Sequence, residues 1–261
     1  METPVPNENP QHDDEQNNEP TQKVPDDGRS PDKRGGRRKA LLIGIPIALI
    51  VLIAAAVLVP RIYADSQNAA APAPLEYTPT AETGSEGADA DPATLDGEWS
   101  VGDGSGAGYR IEEVLNGADV TVVGRTEEVT GDVTIADGEL SAGTVEVDVA
   151  SITTDSDRRD SYFREQGMNT EEYPTATFEI TEPVALTGAS SEELQVTGEL
   201  TMAGQTKELT GTFERTTDGE NQVVTGALDV TLSDFGLEAP NLGFVTVEPD
   251  GQVEFLLQLA R

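Results

Sequence analysis

The 261-residue sequence contains no cysteine. Disulfides, thiol nucleophiles, iron–sulfur clusters and cysteine-held zinc are therefore excluded, and a folded domain must stand on its core alone. The single histidine, His12, lies in a polar N-terminal stretch. A histidine base, metal ligand or physiological pH switch is absent from any folded part, and with it a serine–histidine triad. Positive charge is scarce beyond residue 61. Residues 62–261 carry 8 Lys/Arg against 40 Asp/Glu, a net −32, whereas residues 1–61 carry 8 against 9. So acidic a surface repels phosphate backbones, and no nucleic-acid partner is expected. No motif singles out a carboxylate pair for acid–base work. Asp155-x-Asp157-x-x-Asp160 lacks the spacing, central glycine and terminal glutamate of a calcium loop. The expectation is a protein without metal or enzymatic activity.

What is present falls into distinct stretches. Residues 1–32 are rich in Pro, Asn, Gln, Asp and Glu and poor in large apolar residues. Such a segment cannot bury enough surface to offset chain entropy, and a disordered tail with a basic end is expected over 1–39. The basic end is Lys33, Arg34, Arg37, Arg38 and Lys39. Ala40 to Val59 then runs without a polar side chain. At 1.5 Å per residue, about 20 residues span roughly 30 Å, the hydrocarbon thickness of a bilayer. A transmembrane helix over 40–60 is expected, with its N-terminus cytoplasmic by the positive-inside rule. A cleaved signal peptide fits less well, because the apolar stretch exceeds a signal's ~7–15 residues. Residues 61–95 are Ala, Pro, Gly, Thr and acid, which predicts a flexible linker.

From Asp96 onward, apolar and polar residues alternate with the period of half-buried strands. One pattern occurs in four copies: Val129-Thr130-Gly131-Asp132-Val133, Val196-Thr197-Gly198-Glu199-Leu200, Leu209-Thr210-Gly211-Thr212-Phe213 and Val224-Thr225-Gly226-Ala227-Leu228. In each copy the glycine falls on the apolar, inward side. A sheet that repeatedly places a side chain of zero size inside is sharply coiled there or hollow there, and both uses fit. Turn signals separate the runs at Ala136-Asp137-Gly138, Ala203-Gly204-Gln205, Thr217-Asp218-Gly219 and Pro249-Asp250-Gly251. Many short alternating strands with tight turns predict an antiparallel barrel or sandwich. Thr154 to Gly167 breaks the alternation. Thr154 or Asp155 can cap a helix and Gly167 suits its C′ position, so a short helix is expected across one barrel end.

The stretch from Ser151 to Thr181 resembles the signature of the YceI-like polyisoprenoid-binding family. Its carriers are Ser151, Ile152, Thr154, Arg159, Asp160, Phe163, Arg164, Tyr173, Pro174 and Phe178. Gly198-Glu199-Leu200-Thr201 with Gly204 and Thr206 is similar to the family's second run. Gly97-Glu98-Trp99 and Gly108-Tyr109-Arg110 resemble the membrane-anchored actinobacterial members. The resemblance covers 96–261 and implies an all-β, lipocalin-like eight-stranded antiparallel barrel with one short helical segment, whose lumen holds an isoprenoid chain. Many members carry His-Ser where this chain has Gly104-Ser105, so no role for that histidine transfers.

The lumen candidates are Tyr109, Val122, Val133, Val147, Phe163, Met168, Phe178, Ile180, Gly198, Leu200, Phe213, Gly226, Leu228 and Phe255. Ordinary core packing would explain the same residues. Arg158, Arg159 and Arg164 are head-group candidates, because guanidinium presents a planar fork of donors; salt bridges to neighbouring acids explain them as well. The expected function is a membrane-tethered, extracytoplasmic binding protein holding a polyisoprenoid or similar amphiphile. The alternative is a filled-core surface or interaction domain of the cell envelope. No cofactor is expected beyond such a bound lipid. The expected partners are the long-chain amphiphile and the cytoplasmic membrane.

Overall fold

The computed structural model describes residues 35–78 and 91–261, with side chains from Leu49 onward. Residues 1–34 of the tail expected over 1–39, and the middle of the expected linker, 79–90, lie outside these residues; the last part of that tail, 35–39, is helical. A long helix, α1 (Gly35–Ala70), takes in the apolar run and continues past it. It is long and apolar enough to cross a membrane. The first residues of the expected linker are thus helical. The next described residues run as irregular chain to Thr78.

Strands follow in the order β1 (Gly97–Val101), β2 (Gly106–Leu115), β3 (Ala118–Thr126), β4 (Val129–Ala136) and β5 (Glu139–Asp148). After a helical interruption come β6 (Thr175–Ile180), the short β7 (Val184–Ala185), β8 (Ser191–Met202), β9 (Gln205–Asp218), β10 (Asn221–Thr231) and β11 (Val245–Ala260). Strands β1, β4, β5, β6, β8, β9, β10 and β11 pair in that order, and β1 pairs back onto β11. The result is a closed, eight-stranded antiparallel barrel, which leaves no unpaired edge around the ring.

The β2–β3 hairpin flares from this ring. It pairs with β11 from Val245 to Leu256, while β1 takes the last residues, Leu259 and Ala260. The break between β1 and β2 is bridged by Ser105, a buried residue whose Oγ accepts from the Gln258 N–H at 2.9 Å. Pro249-Asp250-Gly251 is not a turn between strands, as its composition predicts. It lies inside β11, at a register shift between Val247 and Gly251. A bulge uses the same φ-tolerant residues as a turn but bends the strand without reversing it.

The barrel interior divides into two apolar clusters. One includes Trp99, Leu140, Leu194, Val196, Phe213, Leu228 and Leu257. The other includes Ile152, Met168, Met202, Val230 and Phe235, with Tyr109 and Phe163 against it. The second cluster sits under the helical interruption. There α2 (Asp157–Tyr162) passes directly into a π-turn, Phe163–Gly167. Ser156 takes the N-cap position in place of the expected Thr154 or Asp155. The reason is that Thr154 is engaged elsewhere: its N–H and Oγ1–H both donate to the buried Asp160 carboxylate, at 2.9 and 2.7 Å. The far end of the barrel is closed by Trp99, whose Nε1–H donates to Leu95 O at 2.9 Å and whose ring lies under the Arg261 guanidinium at 4.4 Å.

Candidate functional site

Inside the barrel lies a cavity of about 110 Å³, counted as the space a water molecule's centre can visit. A single water needs roughly 10–15 Å³ by this measure, so the void is far larger than a packing defect. Its wall is almost wholly aliphatic and aromatic, with Thr177, Gln222 and Arg215 as the polar side chains.

Among the lumen candidates, Val133, Val147, Phe178, Ile180, Leu200, Phe213, Leu228 and Phe255 stand on this wall. The others do not. Tyr109, Phe163 and Met168 belong to the cluster that covers the α2 end. Tyr109 stacks on Phe163 with ring centroids 5.1 Å apart, and burial pushes its phenol up to about 12, which keeps it neutral. Val122 is buried on the flared hairpin, opposite Ile111.

Gly198 and Gly226 face inward, as the alternation predicts, but rings occupy the space beside them. A Cβ on Gly198 would stand 2.5 Å from the Phe178 ring and from Glu179 O. On Gly226 it would stand 2.6 Å from the Phe213 ring and 2.9 Å from that of Phe255. Gly211 is crowded in the same way by Phe213 and Leu228, and Gly131 by the Val145 backbone. Gly198, Gly211 and Gly226 seat three aromatic rings that pack edge-on, Phe178 against Phe213 and Phe213 against Phe255. The rings, rather than the glycines, border the cavity.

Arg159 is held by Glu113 at 3.4 Å and by Asp155 at 2.5 Å. Arg158 is exposed and Arg164 half-buried, both on the segment covering the α2 end. Neither has an ion-pair partner among the described residues. None of the three lines the cavity.

The basic residue on the cavity wall is Arg215, which motif reading missed. It is 3% exposed. Its Nε–H donates to Glu192 at 2.8 Å, and Nη2 lies 2.7 Å from the same carboxylate oxygen. Its Nη1 donates to Thr217 at 3.0 Å and to Gln222, and Nη2 donates to Ala189 O. Desolvation pushes the Glu192 carboxyl up, but hydrogen bonds from Thr187 and Arg215 outweigh it and hold the group below the usual carboxylate range. The sequence signal was available: Leu209, Gly211 and Phe213 face inward, and the same period carries on to Arg215. This network lies near the β9–β10 turn, while the β8–β9 turn, at the other end of β9, packs with the α2-end cluster. The cavity therefore has an ionic floor with all the Arg215 donors engaged, and a cover of α2 and the π-turn.

Comparison with curated proteins gives no match. Among solved structures, the chain is similar to the BcnA protein of Burkholderia cenocepacia, at 21% identity and TM-score 0.50 over 60% of this chain and 96% of that one. It is likewise similar to a polyisoprenoid binding domain from Saccharophagus degradans implicated in plant cell wall breakdown, at 19% identity and TM-score 0.51 over 62% and 97%. At such identities the likeness concerns the fold. The model of the YceI-like domain matches residues 102–259, from the β1–β2 break to the end of β11, and with more than half of its length so matched the chain belongs to the YceI-like family.

Proposed function

We propose that this protein is a membrane-tethered, extracytoplasmic binding protein that holds a polyisoprenoid or similar long-chain amphiphile in the barrel lumen. The observation that carries the reading is the apolar cavity bordered by Phe178, Phe213 and Phe255. A branched hydrocarbon gains about 0.8 kcal/mol for each CH₂-sized unit taken out of water, so such a wall holds a chain without specific polar contacts. With every Arg215 donor engaged, the floor offers an anionic head no free cation. The head therefore belongs at the α2 end, where Arg158 and Arg164 are uncommitted. The structural neighbour that binds polyisoprenoid supports the ligand class, and the apolar helix α1 supports the tether.

Mass spectrometry of lipid extracted from the purified full chain tests this reading. We expect an isoprenoid or related long-chain lipid at near-stoichiometric yield. Val224→Trp, at a wall position that is only partly buried, should lower that yield several-fold while leaving a cooperative melt. A folded protein that carries no lipid, and takes none from vesicles, would favour the filled-core surface domain.

A further inference from the structure

We propose that the loop Leu242–Phe244 dips into the interface of the bilayer that α1 enters, so that the barrel rests on the membrane by its α2 end. The inference rests on the tethered reading above.

From Leu52 to Tyr63, α1 leaves its large apolar side chains in the open. Leu52, Ile62 and Tyr63 are 67%, 65% and 50% exposed. Contact begins abruptly at Ala64, which is 3% exposed and packs with Ala118 and Val120, with Leu115 alongside. One turn further on, Asn68 makes two hydrogen bonds to the β3 backbone. Its Nδ2 donates to Asp119 O at 2.9 Å, and its Oδ1 accepts from the Thr121 N–H at 2.8 Å. Gln67 donates to the Asp155 carboxylate at 3.2 Å, just ahead of α2. After the helix ends, Pro72 O accepts from Arg110 at 2.8 Å. The tether is thus fastened to the flared hairpin at several points.

The register of these contacts sets the direction. Stepping back from Pro72 through Asn68 to Ala64, toward the apolar run, moves along the hairpin from Arg110 and its partner Val123, through Thr121 and Asp119, to Val120, Ala118 and Leu115, toward the Asn116-Gly117 tip. The tip therefore points the way the helix enters the membrane. Phe244 is fixed to that tip, because its carbonyl accepts from the Asn116 N–H at 2.8 Å. Leu242 and Phe244 are 57% and 56% exposed. Beyond the helix, they are the large apolar side chains so exposed among the described residues.

The depth agrees with this direction. Ala64 lies five residues past Val59, about 7–8 Å along the helix, which is roughly the thickness of one head-group layer. A hairpin docked at Ala64 with its tip toward the bilayer places Leu242 and Phe244 at the boundary between head groups and acyl chains, where apolar side chains gain most from leaving water. Charge does not drive this contact. The side chains that enter, Leu242 and Phe244, are uncharged, and Arg110 beside the tether is already paired with Glu254, so in zwitterionic phosphatidylcholine the contact should persist at high salt.

The absence of native cysteine makes the test direct. Full-length single-cysteine variants Phe244→Cys, Leu52→Cys and Glu220→Cys are labelled with a nitrobenzoxadiazole dye and reconstituted in phosphatidylcholine vesicles containing spin-labelled lipid. Glu220 sits on the β9–β10 turn, at the end away from α2. We expect at least twofold quenching at 244 by shallow spin labels, unchanged between low and high salt. Deep labels should quench position 52, and position 220 should be unquenched. Adding Asn68→Ala should reduce the quenching at 244 without altering that at 52. Position 52 quenched and position 244 no more than 220 would overturn this inference and leave the tether intact. No quenching at 52 would overturn the tether itself, and the inference with it.

Discussion

At the scale of single residues, the inward glycines are packing devices. Gly198, Gly211 and Gly226 each let an aromatic ring approach a strand that a larger residue would hold away, and Gly131 lets the backbone at Thr144 and Val145 approach. Gly198→Ala places a methyl group against a backbone carbonyl, Glu179 O, and the tip of the Phe178 ring. The ring can swing but the carbonyl cannot, so overpacking should cost about 1–3 kcal/mol and lower the melting temperature by several degrees. Pairing it with Phe178→Leu should recover part of the loss. A thermal melt unchanged by Gly198→Ala would mean the ring does not sit there. The buried Arg215–Glu192 contact makes a second prediction. The Glu192 carboxyl is held below its ordinary value of 4.5 in the fold. A depressed carboxylate contributes stability in full above the unfolded value, and that contribution is lost as pH falls through the folded one. Denaturation curves should therefore lose stability as pH falls from about 5 toward 3, and Glu192→Gln should be less stable at pH 7 and flatter over that window. A variant with the wild-type slope would remove Glu192 as the source.

At the scale of elements, legibility followed the strength of the period. Runs such as Leu194 to Met202 alternate without interruption, and β8 forms over them with the expected face inward. The inward set was therefore readable along such runs, and eight of the lumen candidates stand on the cavity wall. Two kinds of feature were not. Whether an inward position meets a void or a ring depends on the neighbouring strand's register, as Gly198 opposite Ile180 and beside Phe178 illustrates. Whether a Pro-Asp-Gly sequence reverses or only bends a strand depends on what pairs across it. At Pro249 that is β2, which continues past the bend. The helical segment was readable as a break in alternation. Its exact start was not, because Asp160 reaches back to Thr154 and so leaves Ser156 to cap.

At the scale of the whole molecule, composition indicated an acidic barrel behind an apolar helix, but the fastening between them lies in side chains that carry no motif. Asn68 is one of them. Its amide group offers β3 one donor and one acceptor at the spacing of alternate backbone groups, so a single side chain stands in for the strand that β3 lacks on that side. The consequence concerns self-association. At the β3 edge, Asp119 O and Thr121 N face away from any strand of the ring. Cutting the chain before Asp91 removes Asn68 and uncovers Val120 with that edge. Edges of this kind recruit a second copy by strand addition. The protein beginning at Asp91 should therefore dimerise with rising concentration in sedimentation runs, and Thr121→Pro, which deletes the exposed N–H, should return it to monomer. A truncated form that stays monomeric at millimolar concentration would mean that the hairpin's own twist guards the edge and that Asn68 serves the tether alone.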